Sequence, residues 1–302
     1  MMDPMNRRSF LKTSLCAGAS LSLAGRLFGA EAVKSSSPTA KKLGWTLCCQ
    51  LYTFRSMSFY EALEKIAALG FECVEPAFFL SLSKEKPDQK TNEQLPAEAR
   101  KELKKRLSDL GIKMTNFYGD LKNDKDDCRK KFDFAKEMGV ETFVAEPPPE
   151  AFEMIDGLCE EYKINLALHN HPKAANYQYW DPDNALKLFK GRSKRVGSCS
   201  DTGHWVRSGL DPVACLKKME GRIITVHLKD VIESGKPEAR DVPLGKGKAN
   251  YGQVLRELFR QRFRGIMTIE YEHESPQLVD DVRECVAFVE ETAKVLARGR
   301  AG

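Results

Sequence analysis

Arg195-Val196-Gly197-Ser198-Cys199-Ser200-Asp201-Thr202-Gly203-His204-Trp205 opens as a short β-rich run and ends by putting a carboxylate and an imidazole three residues apart. A strand that ends in Asp, with a His just beyond in the turn, aims two groups suited to metal binding or proton transfer at one mouth. Taken alone, such a pair is as often a surface hydrogen bond. Its weight comes from recurrence, because strand-length runs with polar ends lie on both sides of it.

Outward from that stretch, apolar runs alternate with helix-period segments. The pairs are Trp45 to Leu51 with Ser58 to Leu69, Phe71 to Val74 with Pro96 to Leu110, Ile112 to Phe117 with Lys125 to Met138, and Val140 to Ala145 with Pro149 to Tyr162. They continue as Ile164 to Leu168 with Asp181 to Lys190, Arg195 to Ser200 with Asp211 to Met219, Ile223 to Val226 with Tyr251 to Phe263, and Ile266 to Ile269 with Pro276 to Leu296. Gly70, Gly111, Gly139 and Gly265 stand at helix-to-strand joints, where a left-handed C-cap is wanted. Eight βα units in about 255 residues fit a single-domain α/β protein of the (β/α)8 TIM-barrel class, with its chemistry at the carboxyl ends of the strands. A doubly wound sheet would carry a glycine-rich nucleotide turn after the first strand, and Gln50-Leu51-Tyr52-Thr53-Phe54 has none.

The chain has 302 residues, 42% hydrophobic and 30% charged, enough for a substantial core. A net charge of +5, part of it carried by the first 32 residues, is too small to point to nucleic acid. Asn6-Arg7-Arg8-Ser9-Phe10-Leu11-Lys12, the mild apolar run Thr13 to Ala30 and the small residues around Ala30-Glu31-Ala32 resemble a twin-arginine export signal. The expected organisation is therefore a signal over 1–32, a polar linker over 33–42, the barrel over 43–297 and a tail over 298–302, with a periplasmic location. Cys16 precedes most of the apolar run, which argues against a lipid anchor, and no later run has the length of a membrane span. Of nine cysteines, Cys16 leaves with the signal and the rest are scattered without CxxC spacing, so buried thiols are expected.

The strand ends collect Glu75, Asn116, Glu146, His169, Asn170, His171, Asp201, His227 and Glu270. A lone strand-end histidine is usually structural, but His169, His171, His204 and His227 all fall at or just past strand ends. Residues two apart share a face, so His169 and His171 are expected inward and Asn170 turned away. Glu146 is held ahead of Pro147-Pro148-Pro149. Mixed carboxylate and imidazole donors suit Mn²⁺, Co²⁺, Zn²⁺ or Fe²⁺ better than Ca²⁺.

The segments Leu166-Ala167-Leu168-His169-Asn170-His171-Pro172, Asp201-Thr202-Gly203-His204-Trp205, Val226-His227-Leu228-Lys229-Asp230, Pro243-Leu244-Gly245-Lys246-Gly247 and Thr268-Ile269-Glu270-Tyr271 resemble the xylose-isomerase-like barrel superfamily, whose members are commonly called sugar phosphate isomerase/epimerase. In its ketose 3-epimerases, Glu, Asp, His and Glu from four successive strands hold one metal, with a His three residues after the Asp. The resemblance assigns Asp201, His227 and Glu270 to the last three ligands and His204 to the additional histidine, a substrate contact. His169 stands where the family has its first Glu, leaving His169 or Glu146 to complete the shell.

The resemblance implies a metal-dependent isomerase or epimerase acting on a keto sugar through an enediolate, with Glu270 as one base and His169, His171 or Glu146 as the other. The same proton abstraction followed by loss of a glycosidic group would make a 3-keto-glycoside lyase or hydrolase. A periplasmic carbohydrate-binding barrel without catalysis is the non-enzyme reading. An apurinic endonuclease of the superfamily needs histidines on early strands, and no His precedes position 169. Lys229 is either a donor to a substrate oxygen or an ion pair with Asp201 or Glu270. Lys246 and Lys248 are read as packing or substrate contact. Phe78, Phe79, Tyr118, Tyr177, Tyr179, Trp180 and Trp205 are candidates for sugar stacking, and Ser81 to Gln94 is a lid or a solvated loop. The expected partner is a small carbohydrate, with no membrane contact after signal removal; assembly into a homo-oligomer is left open.

Overall fold

Short apolar runs buried on both faces become eight parallel strands: β1 Trp45–Gln50, β2 Cys73–Glu75, β3 Asn116–Tyr118, β4 Thr142–Ala145, β5 Asn165–His169, β6 Val196–Asp201, β7 Ile223–Leu228 and β8 Gly265–Ile269. The computed structural model describes residues 35–299, so the twin-arginine segment read at 1–32 lies outside the described residues. The sheet runs β2-β1-β8-β7-β6-β5-β4-β3. Its two edges approach through the bridges Cys73 to Lys113 and Ala77 to Tyr118, with Val74 N–H donating to the Lys113 carbonyl at 2.9 Å. The protein is a nearly closed TIM barrel of one domain, and its strand ends gather at one mouth.

Several boundaries differ from the sequence expectation. Residues 38–42, read as linker, form the helix Pro38–Lys42, with Ala40 buried. The Glu290 carboxylate accepts the Thr39 and Ala40 amides at 2.9–3.0 Å, so this polar stretch is ordered by a residue far along the chain. The last helix, Leu278–Arg298, takes in the first residue of the expected tail. Gly139 is a left-handed C-cap at φ +80°, and Gly70 and Gly111 take the left-handed position just after the C-caps Leu69 and Leu110, at φ +77° and +65°, whereas Gly265 lies in β8 and Arg262 takes the left-handed position before it at φ 57°.

The Ser81 to Gln94 insertion is fastened to the barrel. Phe59 and Tyr60 amides at the start of helix Phe59–Ala68 donate to its Ser81 and Leu82 carbonyls, and Leu82 and Thr91 are buried. The Gly245-Lys246-Gly247-Lys248 loop wraps the Asp230 carboxylate, which accepts the Gly245, Gly247 and Ala249 amides at 2.9–3.0 Å; the loop is packing, and its anion-binding amides are already used. All eight cysteines among the described residues are free and buried. No helix of the described residues is long and apolar enough to cross a membrane.

Beyond β6 the chain does not turn but winds into the helix Thr202–Arg207, capped by Asp201 Oδ1 accepting the His204 amide at 2.7 Å. This helix lies so close to the end of β7 that a Cβ on Gly203 would sit 2.5 Å from Lys229 Cγ and 2.8 Å from the Lys229 carbonyl oxygen. The glycine in Asp201-Thr202-Gly203-His204 is thus a spacing requirement. Gly203→Ala should destabilise the fold by about 1–3 kcal/mol. Thermal unfolding checks this, at about 2–4 °C in Tm per kcal/mol.

Candidate functional site

Four adjacent strands bring the chemistry together. One donor atom each from His169 on β5, Asp201 on β6, His204 just beyond it and Glu270 after β8 lie within 4.8 Å of one another, and all four residues are buried. His227 on β7 joins them, its Nδ1 3.1 Å from Glu270 Oε2 and 3.9 Å from Asp201 Oδ2.

Two of the imidazoles are backed by a carboxylate. Glu75 Oε1 lies 2.8 Å from His227 Nε2, and its other oxygen accepts from Asn116 and Thr268 at 3.2 and 3.1 Å. Glu146 Oε1 lies 3.4 Å from His169 Nδ1 and 2.9 Å from His171 Nε2, and accepts the Tyr118 hydroxyl at 2.7 Å. These contacts leave Nδ1 of His227 and Nε2 of His169 facing Asp201. Burial alone would lower the pKa of His169, but the Asp201 and Glu146 carboxylates beside its ring raise it. For Glu146, burial works to raise the pKa and the His169 and His171 bonds outweigh it, holding the group below the ordinary carboxylate range.

Burial likewise opposes charge on Asp201 and Glu270, but the Lys229 ammonium and neighbouring imidazoles keep both ionised. The fully buried Lys229 Nζ sits 3.0 Å from Glu270 Oε2 and 3.4 Å from Asp201 Oδ2. His204 is pushed well below the usual histidine range by burial first and then by Lys229, so its ring is neutral. Its Nδ1 lies 3.2 Å from Arg207 Nη1 and its Nε2 3.2 Å from Lys229 Nζ.

Asp201 Oδ2 and His169 Nε2 are buried atoms without a hydrogen-bond partner, and they lie 3.6 Å apart. Leaving such a group unsatisfied costs about 1–3 kcal/mol, more when it is charged. A mixed oxygen and nitrogen donor set with two orphaned atoms fits a divalent transition ion.

The structure thus brings His169, Asp201, His204, His227, Lys229 and Glu270 together, and places Glu146 one ring away, behind His169. His171 is farther out, with 45% of its side chain exposed, stacked on His204 at 5.1 Å. Trp205 is core and Tyr179 is mostly buried, donating to the Pro147 carbonyl at 2.6 Å; Phe79 is exposed beside Phe78 and Tyr52.

Asn170 turns from the mouth yet is 5% exposed, because its amide clamps the next strand: Oδ1 accepts the Asp201 N–H at 2.9 Å and Nδ2 donates to the Asp201 carbonyl at 3.0 Å. Arg207, Asp241 and Glu272 were not legible as site residues; only the spacing of Glu272 two beyond Glu270 hinted at a shared face. Asp241 comes from a small hairpin, Asp230–Val231 with Asp241–Val242, and accepts Arg207 Nη2 at 2.6 Å.

The sequence pattern of the xylose isomerase-like TIM barrel matches residues 63–292. The chain belongs to that family. Solved structures that share its fold include an L-ribulose 3-epimerase, 12% identical with a TM-score of 0.65 over 84% of this chain and 96% of that one, and a probable 3-DHS dehydratase of Bacillus anthracis, 16% identical with a TM-score of 0.59 over 83% and 98%. The rhizopine catabolism protein MocC of Rhizobium meliloti is 29% identical over 131 residues, 39% of each chain. An inosose dehydratase of Mesomycoplasma hyopneumoniae is 25% identical over 130 residues, 38% of this chain and 43% of the relative. The chain therefore spans less than half the length of these curated relatives. An uncharacterised protein of Parabacteroides distasonis is similar in structure, with 30% identity and a TM-score of 0.66 over 82% of this chain and 99% of that one.

Asn170→Ala removes both bonds to the Asp201 backbone inside the barrel. It should cost about 1–3 kcal/mol, read from the midpoint of urea unfolding at unchanged slope.

Proposed function

We propose that the protein is a divalent-metal-dependent isomerase or epimerase that abstracts a proton next to the carbonyl of a keto sugar and passes through an enediolate. One observation supports this reading: Asp201 Oδ2 and His169 Nε2, both buried and without a hydrogen bond, face each other among converging donors from β5, β6 and β8. His169, Asp201, His227 and Glu270 are the residues that would hold the ion. Mn²⁺, Co²⁺, Zn²⁺ or Fe²⁺ supplies Lewis-acid polarisation of the carbonyl and a counter-charge for the enediolate when bound.

The side chains divide the remaining tasks. Glu270 takes the proton. Glu146 and Glu75 fix the rings of His169 and His227 from behind, so Glu146 supports the shell rather than completing it. His204, neutral and pinned by the helix cap, offers a hydrogen bond to a substrate oxygen. His171 and Tyr118 meet the substrate at the rim. Export in the folded state by the twin-arginine route belongs to the same reading and is supported by Arg7-Arg8 and the run after them.

A second reading, β-elimination from a 3-keto-glycoside, is favoured by one observation. An imidazole, His169, ends β5, so Glu270 is the one carboxylate among the four proposed ligand residues able to serve as base besides Asp201. Relatives named inosose dehydratase are in keeping with it.

The test uses the mature chain with Mn²⁺ or Co²⁺ in D₂O, offered ketoses and 3-keto-glycosides and followed by NMR. Deuterium uptake at carbon without aglycone release supports the isomerase; release supports elimination. Neither, from a chain in which elemental analysis finds no metal and none can be restored, supports a binding barrel instead. Glu270→Gln should slow exchange by about 10²-fold or more. Glu75→Gln should weaken metal binding by about 10–100-fold, measured by titration, since it loosens the ring of His227.

A further inference from the structure

The Lys229 ammonium is shared. Beyond Glu270 Oε2 at 3.0 Å and Asp201 Oδ2 at 3.4 Å, its Nζ lies 3.2 Å from Glu272 Oε1. The first two oxygens belong to the carboxylates assigned above to the ion. Two buried carboxylates this close repel each other, and a cation between them is what keeps both charged. Glu272 stands apart from that competition. Its Oε2 is held by Arg207 Nη1, while Arg207 Nη2 reaches Asp241, and the Asp241 carboxylate also accepts the Glu272 amide at 2.6 Å. Glu272 is therefore anchored from outside the site and presents one oxygen inward to the lysine.

We infer that Lys229 is a built-in counter-ion that competes with a divalent cation for Asp201 and Glu270, and that Glu272 is the positioning residue that retains the ammonium when the ion is bound. This rests on the metal reading above. Lys229 and Glu272 then set how tightly the site takes its ion. Without Glu272, the carboxylates of the described residues within 4 Å of the ammonium are the two that the ion needs. Without Lys229 the two carboxylates are left to the ion alone.

Calorimetric titration of the metal-stripped mature chain with Mn²⁺ tests this without any activity assay. Lys229→Met should bind Mn²⁺ about tenfold or more tightly than the wild type, because one positive charge a few ångström away has gone. Lys229→Arg, which keeps the charge, should not tighten binding. Glu272→Gln should weaken binding, and the weakening should shrink in the Lys229→Met background, because Glu272 acts through the lysine. Equal or weaker Mn²⁺ binding by Lys229→Met, or a Glu272→Gln effect that is undiminished in the double variant, overturns the inference while leaving the metal reading intact. A wild-type chain that binds no Mn²⁺ overturns the metal reading and this one with it. If Lys229→Met does not fold without metal, its refolding yield against Mn²⁺ is read instead: recovery with Mn²⁺ supports the inference, and failure at every Mn²⁺ concentration overturns it.

Discussion

The two oxygens of the Asp201 carboxylate point to different tasks, and much of the barrel mouth is arranged to keep them divided. Oδ1 caps the helix that follows β6, and Oδ2 faces the imidazoles and the lysine. The division holds because the backbone beneath is fixed from several sides. Asn170 clamps both Asp201 peptide groups, and the Thr202 hydroxyl meets the His227 and Lys229 carbonyls and the Tyr251 hydroxyl. Gly203 lets the helix come close enough for these bonds. A buried carboxylate held this rigidly keeps Oδ2 turned toward the imidazoles and Lys229.

Charge balance follows from that rigidity. Glu75, Asp201, Asp241 and Glu270 are almost wholly buried, with Glu146 and Glu272 at their margins; Lys229 and Arg207 are the permanent cations among them. The deficit falls on the imidazoles. Burial opposes protonation of His227, yet the neighbouring Cys199, Glu75 and Glu270 raise its pKa well above the usual range, and His169 moves the same way. His204, facing Lys229 and Arg207, moves the opposite way. Three histidines a few ångström apart are thus tuned in opposite senses by which charges stand nearest.

Most of the architecture was legible because the information is local. Run length and period identify the strands and put His169, Asp201, His227 and Glu270 among the residues at their ends; the family resemblance is what joined these four into one set. What was hidden depends on distant partners. Glu75 meets His227 across 152 positions, and Pro38–Lys42 looks like linker until Glu290 caps it from 251 positions away. Asn170 was rightly read as turned from the mouth, but alternation says nothing about an amide reaching the next strand's backbone. The helix after Asp201 is only six residues long, too short for a periodic signal, and the cluster of Arg207, Asp241 and Glu272 is assembled by a hairpin with two-residue strands.

The histidine that ends β5 bears most directly on the chemistry. A shell of one Asp, one His and two Glu carries three negative charges and sets a carboxylate base on each face of a substrate. In the proposed shell, His169 in place of one Glu would leave two negative charges for a divalent ion to balance and one carboxylate base fewer. Glu146 stands one ring back, with its Oε1 engaged by His169, His171 and Tyr118. In the proposed reaction, a proton lifted by Glu270 would be passed to the neighbouring carbon on the same face, or the electron pair left behind would expel a neighbouring group. Isomerisation and elimination in that proposed reaction each need one base, whereas epimerisation needs a second on the opposite face, a task that falls to an imidazole such as His169 or His171 where the ketose 3-epimerases have a carboxylate.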